Sequence, residues 1–245
     1  MTMAADTAPV DEGLRAKEPA RIAGMFDAIA PRYDLLNRLL SGGLDQRWRA
    51  RAIRELALGP RDVLVDVCTG TADVALAALG SATPPGRAIG LDFSAEMLRF
   101  GLDKVRRASV PLVLVQADAT RLPLGDLSAD AATIAFGIRN VQHPDAACRE
   151  LVRVLRPGGR LAVLEFGLPR AAWFRRLYLS YAGRLLPLIG RLVSRHHSAY
   201  AYLPESVGRF PPPEIFSTML TDAGFSSVRV VPLTLGIVYL YVAKK

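Results

Sequence analysis

The chain has few of the residues from which covalent frameworks and metal sites are made. It carries two cysteines and three histidines in 245 residues. Cys68 and Cys148 make neither a disulfide framework nor a metal-site spacing, and His143, His196 and His197 show no ligand pattern with cysteines or acids. No metal is expected. No run of about 18 uninterrupted apolar residues occurs, so no membrane-spanning helix is expected. The first residues lack a basic stretch followed by an apolar core, so no signal peptide is expected and the cytoplasm is the default compartment. Internal repeats are absent, and only residues 1 to about 20, a mixture of Ala, Asp, Pro and Glu, read as a disordered lead.

What remains is a chain rich enough in apolar residues, at 51%, to bury a core as one domain with an insertion. The net charge of +8 suggests an acidic partner, nucleic acid or an anionic membrane, although an Arg-rich composition accounts for it equally well. Residues 22–58 follow a helical period broken at Pro31 and at Gly42-Gly43, and form a helical N-terminal cover over 21–60. Beyond residue 61, strands and helices alternate. Strands are expected at 63–67, 87–91, 112–116, 130–136 and 159–166, with helices at 71–80, 94–107 and 144–155, Ser94 serving as an N-cap. This pattern argues for a mostly parallel α/β sheet with helices on both faces. A helix at 213–223 and two strands at 227–233 and 236–243 follow, too close for a crossover and therefore an antiparallel hairpin.

The most telling stretch is residues 63–73, VLVDVCTGTAD. A buried strand carrying Asp66 breaks into a small-residue turn, Thr69-Gly70-Thr71, and a helix start at Asp73. One glycine is too few for the three-glycine loop that cradles a pyrophosphate. Acids around the turn would also repel a phosphate and welcome a cation. Asp92 ends the next strand, where an acid commonly holds a ribose diol, and Asp118 follows the third strand, where it can accept from an adenine amino group. Three acids at three successive strand ends fit a class I, Rossmann-like methyltransferase sheet holding S-adenosylmethionine rather than NAD. The fourth strand ends in Phe136-Gly137-Ile138-Arg139-Asn140, beside the first strand across the topological switch point. Arg139 there can stabilise a developing oxyanion and Asn140 can orient a water or a ring hydroxyl. The competing reading of Arg139 is a tie between loops through carboxylates.

Six stretches carry a family resemblance: MFDAIAPRYDLLNRLL (25–40), LVDVCTGTAD (64–73), GLDFSAEML (90–98), FGIRNV (136–141), RVLRPGGRLAVLEF (153–166) and AYLPESVGRFP (201–211). In order, they resemble the ubiquinone/menaquinone biosynthesis C-methyltransferases. The resemblance implies methylation of a ring carbon in an isoprenoid demethyl-quinol. It implies cofactor contacts from Thr71, Asp92, Phe93, Asp118 and Ala119. Position 135 often holds Ser or Gly in the family, and here it is Ala135. Tyr33, Tyr200, Tyr202, Glu205 and Arg209 are expected in the substrate pocket, with Tyr33 and Asp34 in a cover that excludes water. The alternative is methylation of another phenol or lipid.

Residues 170–210 are Arg-rich, Leu-rich and aromatic with almost no acids. Interleaved in this way, the arginines suit an interface with lipid headgroups better than a basic groove for nucleic acid. The expected partners are thus the quinol and the inner face of the cytoplasmic membrane, with no nucleic acid. A second copy of the chain stays open.

Overall fold

The computed structural model describes residues 19–181 and 197–245. Three helices come first: α1 (Pro19–Ile29), α2 (Tyr33–Leu40) and α3 (Leu44–Glu55). Pro31, which has no amide to donate, sits in the 3-10 turn Ala30–Arg32 that separates α1 from α2. Gly42 and Gly43, at φ +59° and +79°, turn the chain between α2 and α3.

The alternating region runs β1 (Val63–Val67), α4 (Asp73–Leu79), β2 (Arg87–Asp92), α5 (Ala95–Ala108), β3 (Leu112–Gln116), β4 (Ala129–Ala135), α6 (Pro144–Val154) and β5 (Leu155–Phe166). After it come α7 (Ala172–Ser180), α8 (His197–Arg209), α9 (Pro213–Ala223), β6 (Ser227–Leu233) and β7 (Val238–Lys244). The strands form one sheet in the order β3-β2-β1-β4-β5-β7-β6. Strands β1 to β5 pair in parallel, and β7 lies antiparallel to both β5 and β6. The class I methyltransferase sheet and its closing hairpin are therefore present, and the order of the strands reverses between β1 and β4.

All five residues of β1 are buried, as a strand covered on both faces requires. Val65 and Val67 pack with Ile134, Leu151, Phe216 and Leu220 toward α6 and α9. Leu64 packs with Trp48, Ile53, Val74 and Ala78 toward α3 and α4. Ser94 caps α5 by accepting from the Met97 amide at 3.1 Å. Helix α4 begins at Asp73 instead of residue 71. A turn closed by the Ala72 amide on the Thr69 carbonyl, with Ala72 at φ +68°, takes up the first residues. Strand β5 starts at Leu155, four residues before the expected 159, because Leu155 already pairs with Ala129.

No helix among the described residues is long and apolar enough to cross a membrane. The lead through residue 18, His196 and the Leu-rich run at 182–195 lie outside the described residues.

Candidate active site

The carboxyl ends of β1, β2 and β4 open onto a cleft of about 130 Å³. Gly70, at φ +57°, bends the chain tightly after β1 and exposes backbone to the cleft. Its amide donates to Asp92 Oδ2 at 2.7 Å, and the Ser94 amide donates to Asp92 Oδ1 at 2.9 Å. Gly137 is required for a different reason. A Cβ there would lie 2.2 Å from the Cys68 Cβ, so only glycine lets the β1 and β4 loops close on each other.

The structure gathers Gly70, Asp92, Phe93, Asp118, Ala119, Ala135, Asn140 and Tyr33 around this cleft. Asp118 Oδ1 accepts from both the amide and the hydroxyl of Thr120 at 2.8 Å. Burial pushes the Asp92 carboxyl above its ordinary range, and the nearby Asp27 adds to the effect. Burial also drives the Cys68 thiol well up, and the charges of Asp92, Asp66, Glu165 and Asp118 push it in the same direction. Neither lysine nor arginine is among the described residues that line the cleft. The field is thus negative, which fits a cationic ligand and opposes a phosphate.

Four residues expected at the cofactor are turned elsewhere. Asp66 is 1% exposed and accepts the hydroxyls of Thr69 and Thr133, each at 2.6 Å, so it and Thr69 fasten β1 to its neighbours. Burial raises the Asp66 carboxyl to about 6, although both threonines oppose the shift. Thr71 donates to Asp34 at 2.6 Å, a bond that ties the cofactor loop to α2. Asp73 does not reach the cleft; it pairs with Arg49 and with Lys104, both at 2.6 Å. Small-residue turns and acids are the right signal for a ligand loop, but the sequence does not show which acids the interior has already neutralised.

Beside the cleft lies a second cavity of about 280 Å³. The two share the aromatic rings of Phe26, Tyr33 and Phe136. Trp48, Phe166, Tyr178, Tyr181 and Tyr202 supply most of the remaining aromatic wall. Arg139 lines this cavity and is only 6% exposed. Its Nη1 donates to Glu165 Oε1 at 2.8 Å and to the Phe136 carbonyl at 2.5 Å, and its amide donates to Glu165 Oε2 at 3.1 Å. Burial alone would lower the Arg139 guanidinium, but the charge and hydrogen bond of Glu165 together with Tyr33 and Tyr202 offset it, and the net shift is upward. Arg139 is therefore both a tie to a carboxylate and a permanent cation at the cavity wall. Nη2 carries none of these bonds.

Asn140 faces the cofactor cleft while its Oδ1 accepts from the Tyr202 hydroxyl at 3.1 Å. Tyr202 also lines the second cavity. Glu205 and Arg209 do not. They pair with each other across one turn of α8 at 2.7 Å and are about half exposed. Tyr200 stands in the first turn of α8, and its side chain lies outside what the structure describes.

Glu165 escaped the sequence reading. An acid inside the apolar strand RLAVLEF was the available signal, since a buried carboxylate needs a partner. The cover of α1 and α2 is also fastened to α5 and its cap. Asp27 accepts from the Ser94 hydroxyl at 2.5 Å, and Asp34 pairs with Lys104 at 2.5 Å.

A family model described as the ubiE/COQ5 methyltransferase family matches residues 14–245. The chain belongs to that family. A relative in Syntrophotalea carbinolica, called ubiquinone/menaquinone biosynthesis C-methyltransferase UbiE, is 49% identical over 89% of this chain and 91% of its own. A demethylmenaquinone methyltransferase of Thermus thermophilus is 47% identical over 90% of this chain and 100% of its own. Among solved structures, the [4+2]-cyclase SpnF matches with a TM-score of 0.66 at 19% identity, over 92% of this chain and 95% of that one. That likeness shows the fold alone.

Membership of the ubiE/COQ5 family makes the chain an S-adenosylmethionine-dependent C-methyltransferase, and the acid-lined cleft fits that cofactor. Asp92, Asp118, Gly70, Phe93 and Ala119 line that cleft.

Proposed function

We propose that this chain methylates a ring carbon of an isoprenoid demethyl-quinol, the reduced ring being the acceptor. The observation that carries the reading is the pair of adjacent cavities that share Phe26, Tyr33 and Phe136 as lining. One is acidic and suited to a sulfonium cofactor; the other is aromatic with a buried guanidinium. When bound, S-adenosylmethionine supplies an electrophilic methyl group.

The chain's own residues prepare the acceptor. A ring carbon becomes a good nucleophile when the neighbouring hydroxyl loses its proton to a water, and once the methyl has been transferred the carbon's own hydrogen leaves as a proton to restore the aromatic ring. Arg139 stabilises the resulting oxyanion, and Glu165 keeps the guanidinium fixed before the charge appears. Arg139 is not the proton acceptor, because a guanidinium stays protonated in proteins and Glu165 raises this one further. Asn140, oriented by Tyr202, positions the ring oxygen or a water. The latched cover keeps bulk water from the junction.

The apolar tail reaches the enzyme from a bilayer, and the exposed face of α7 and α2 is suited to meet it. Trp173, Leu177, Leu35 and Leu39 are all more than half exposed, and Tyr181 ties the end of α7 to the Leu40 carbonyl at 2.9 Å. Arg175 and Arg176 on α7 would meet anionic headgroups. Flotation with anionic vesicles should carry the protein upward; recovery wholly in the soluble fraction would remove the membrane role.

The reaction itself is tested with purified protein, cofactor and demethyl-naphthoquinol or demethyl-benzoquinol. Mass spectrometry should find one added methyl on the reduced ring and none on the oxidised ring. Methylation of neither, with cofactor bound, would overturn the proposal.

A further inference from the structure

The polar aromatic side chains around the second cavity are engaged by the protein, with one exception among the described residues. The Tyr181 hydroxyl donates to the Leu40 carbonyl at 2.9 Å, and the Tyr202 hydroxyl to Asn140 Oδ1 at 3.1 Å. The Trp48 indole donates to the Thr234 hydroxyl at 2.9 Å, and Tyr33 is hydrogen-bonded to Asn37. The exception is Tyr178. It lines the cavity from α7, and its hydroxyl has no hydrogen-bond partner among the described residues. The Nε of Arg49 also lacks one, but that atom is sealed in the interior. The Tyr178 oxygen is not sealed and can be reached from the cavity.

Helix α7 aims this side chain inward. Phe174, Tyr178 and Tyr181 follow one another at steps of four and three, which is one face of a helix, and all are partly buried. Trp173 and Leu177, on the other side, are 68% and 60% exposed. Burial pushes the Tyr178 hydroxyl up to about 12; the Arg139 charge opposes that shift and Tyr181 adds to it. The phenol is therefore protonated at neutral pH, a donor and not a base, and it stands within the field of Arg139. A hydroxyl drawn partly out of water without a partner carries a standing cost, which a ligand removes by bringing an acceptor. The aromatic walls can hold any flat ring, and a polar group with a free valence is what tells an oxygenated ring from a plain hydrocarbon.

We infer that Tyr178 is a further substrate-binding residue, its hydroxyl donating to an oxygen of the acceptor ring in the second cavity. This rests on the quinol reading of the site. The contact positions the ring and leaves its deprotonation to water. It also gives α7 two duties, since the outer face that meets lipid and the inner face that receives the ring belong to one short helix.

Ring binding can be read without turnover, by equilibrium dialysis with the ring measured by chromatography. The probes are 1,4-dihydroxynaphthalene, kept reduced, and naphthalene. Tyr178→Phe removes one oxygen and no hydrogen bond within the protein. It should weaken the dihydroxy ring about tenfold, the effect of one hydrogen bond. Naphthalene binding, S-adenosylmethionine affinity by calorimetry and the melting temperature of the free protein should stay unchanged.

Failure of the dihydroxy ring to bind, or an unchanged affinity in Tyr178→Phe, would overturn the contact. So would an equal loss on both rings, or a variant that melts earlier or does not fold, because either marks a hydroxyl whose partner lies within the protein. Absence of methylation by the unaltered chain, with the Tyr178 effect intact, would instead overturn the proposed reaction and leave the contact standing.

Discussion

The two cavities that meet at Tyr33 are built in opposite ways. The acidic cleft is made largely of strand ends and the loops directly after them: Gly70 after β1, Asp92 and Phe93 at β2, Ala135 to Gly137 at β4. The aromatic cavity collects residues from Met25 to Ile237, on α1, α2, α3, α7, α8 and the ends of β4 and β5. Carboxylates face the first with no lysine or arginine among its described lining. The second holds two arginines, each neutralised by a carboxylate from a distant segment. A cofactor common to many enzymes is met by short local motifs on a shared sheet. An acceptor particular to one reaction is met by whatever the tertiary fold can assemble beside it.

The sharpest way to break this contrast is at Glu165, which is 0% exposed. Glu165→Ala leaves Arg139 buried without its counter-ion and should cost roughly 3–5 kcal/mol of folding stability in urea titration. A loss below about 1 kcal/mol, the range of exposed pairs, would show that the Arg139 charge does not depend on Glu165. Arg139→Ala comes next. Turnover should fall about a hundredfold or more, a barrier increase of roughly 2.7–4 kcal/mol, with cofactor affinity unchanged by calorimetry. An equal loss of affinity would merge the two cavities into one functional unit.

Asp66 tests the cofactor side through pH. Its carboxyl is raised to about 6 in the fold, above the ordinary value of 3.8. Between those values the folded state holds more protons than the unfolded chain, so stability falls as pH rises from about 4 to about 6.5 and then levels off. The full change from this group is on the order of 3 kcal/mol, and Asp66→Asn should flatten the slope seen in thermal melts across that window. An unchanged slope would place the ionisation elsewhere. The smallest effect is expected at Asp118. Asp118→Ala should weaken S-adenosylmethionine binding by about tenfold or less, the value of a single hydrogen bond, with kcat little altered. A large fall in kcat with intact binding would reverse its assignment to the cofactor side.

Much of the architecture could be read before any coordinates. Period-two and buried apolar runs placed β1 to β5, and the short spacing of the last two strands required a hairpin. Pro31 and Gly42-Gly43 marked the breaks between the first helices. Ser94 announced its own cap. The place of Asp92, Asp118 and Gly70 at the rim of the cleft was legible because each stands at a strand end whose position the topology dictates. Asp73, Thr71, Glu205 and Arg209 were not legible, because their partners, Arg49, Lys104, Asp34 or a residue one helical turn away, had first claim on them.

Residue order alone determined the sheet, its switch point and the acidic rim, since those follow from local periodicity and from the chirality of strand crossovers. Tertiary structure decided which charges remain available. Arg139 meets Glu165 across 26 positions and Arg49 meets Asp73 across 24. Neither pairing is written in any local window, because an ion pair forms between groups that folding brings within a few ångströms, and only the packed chain sets that distance.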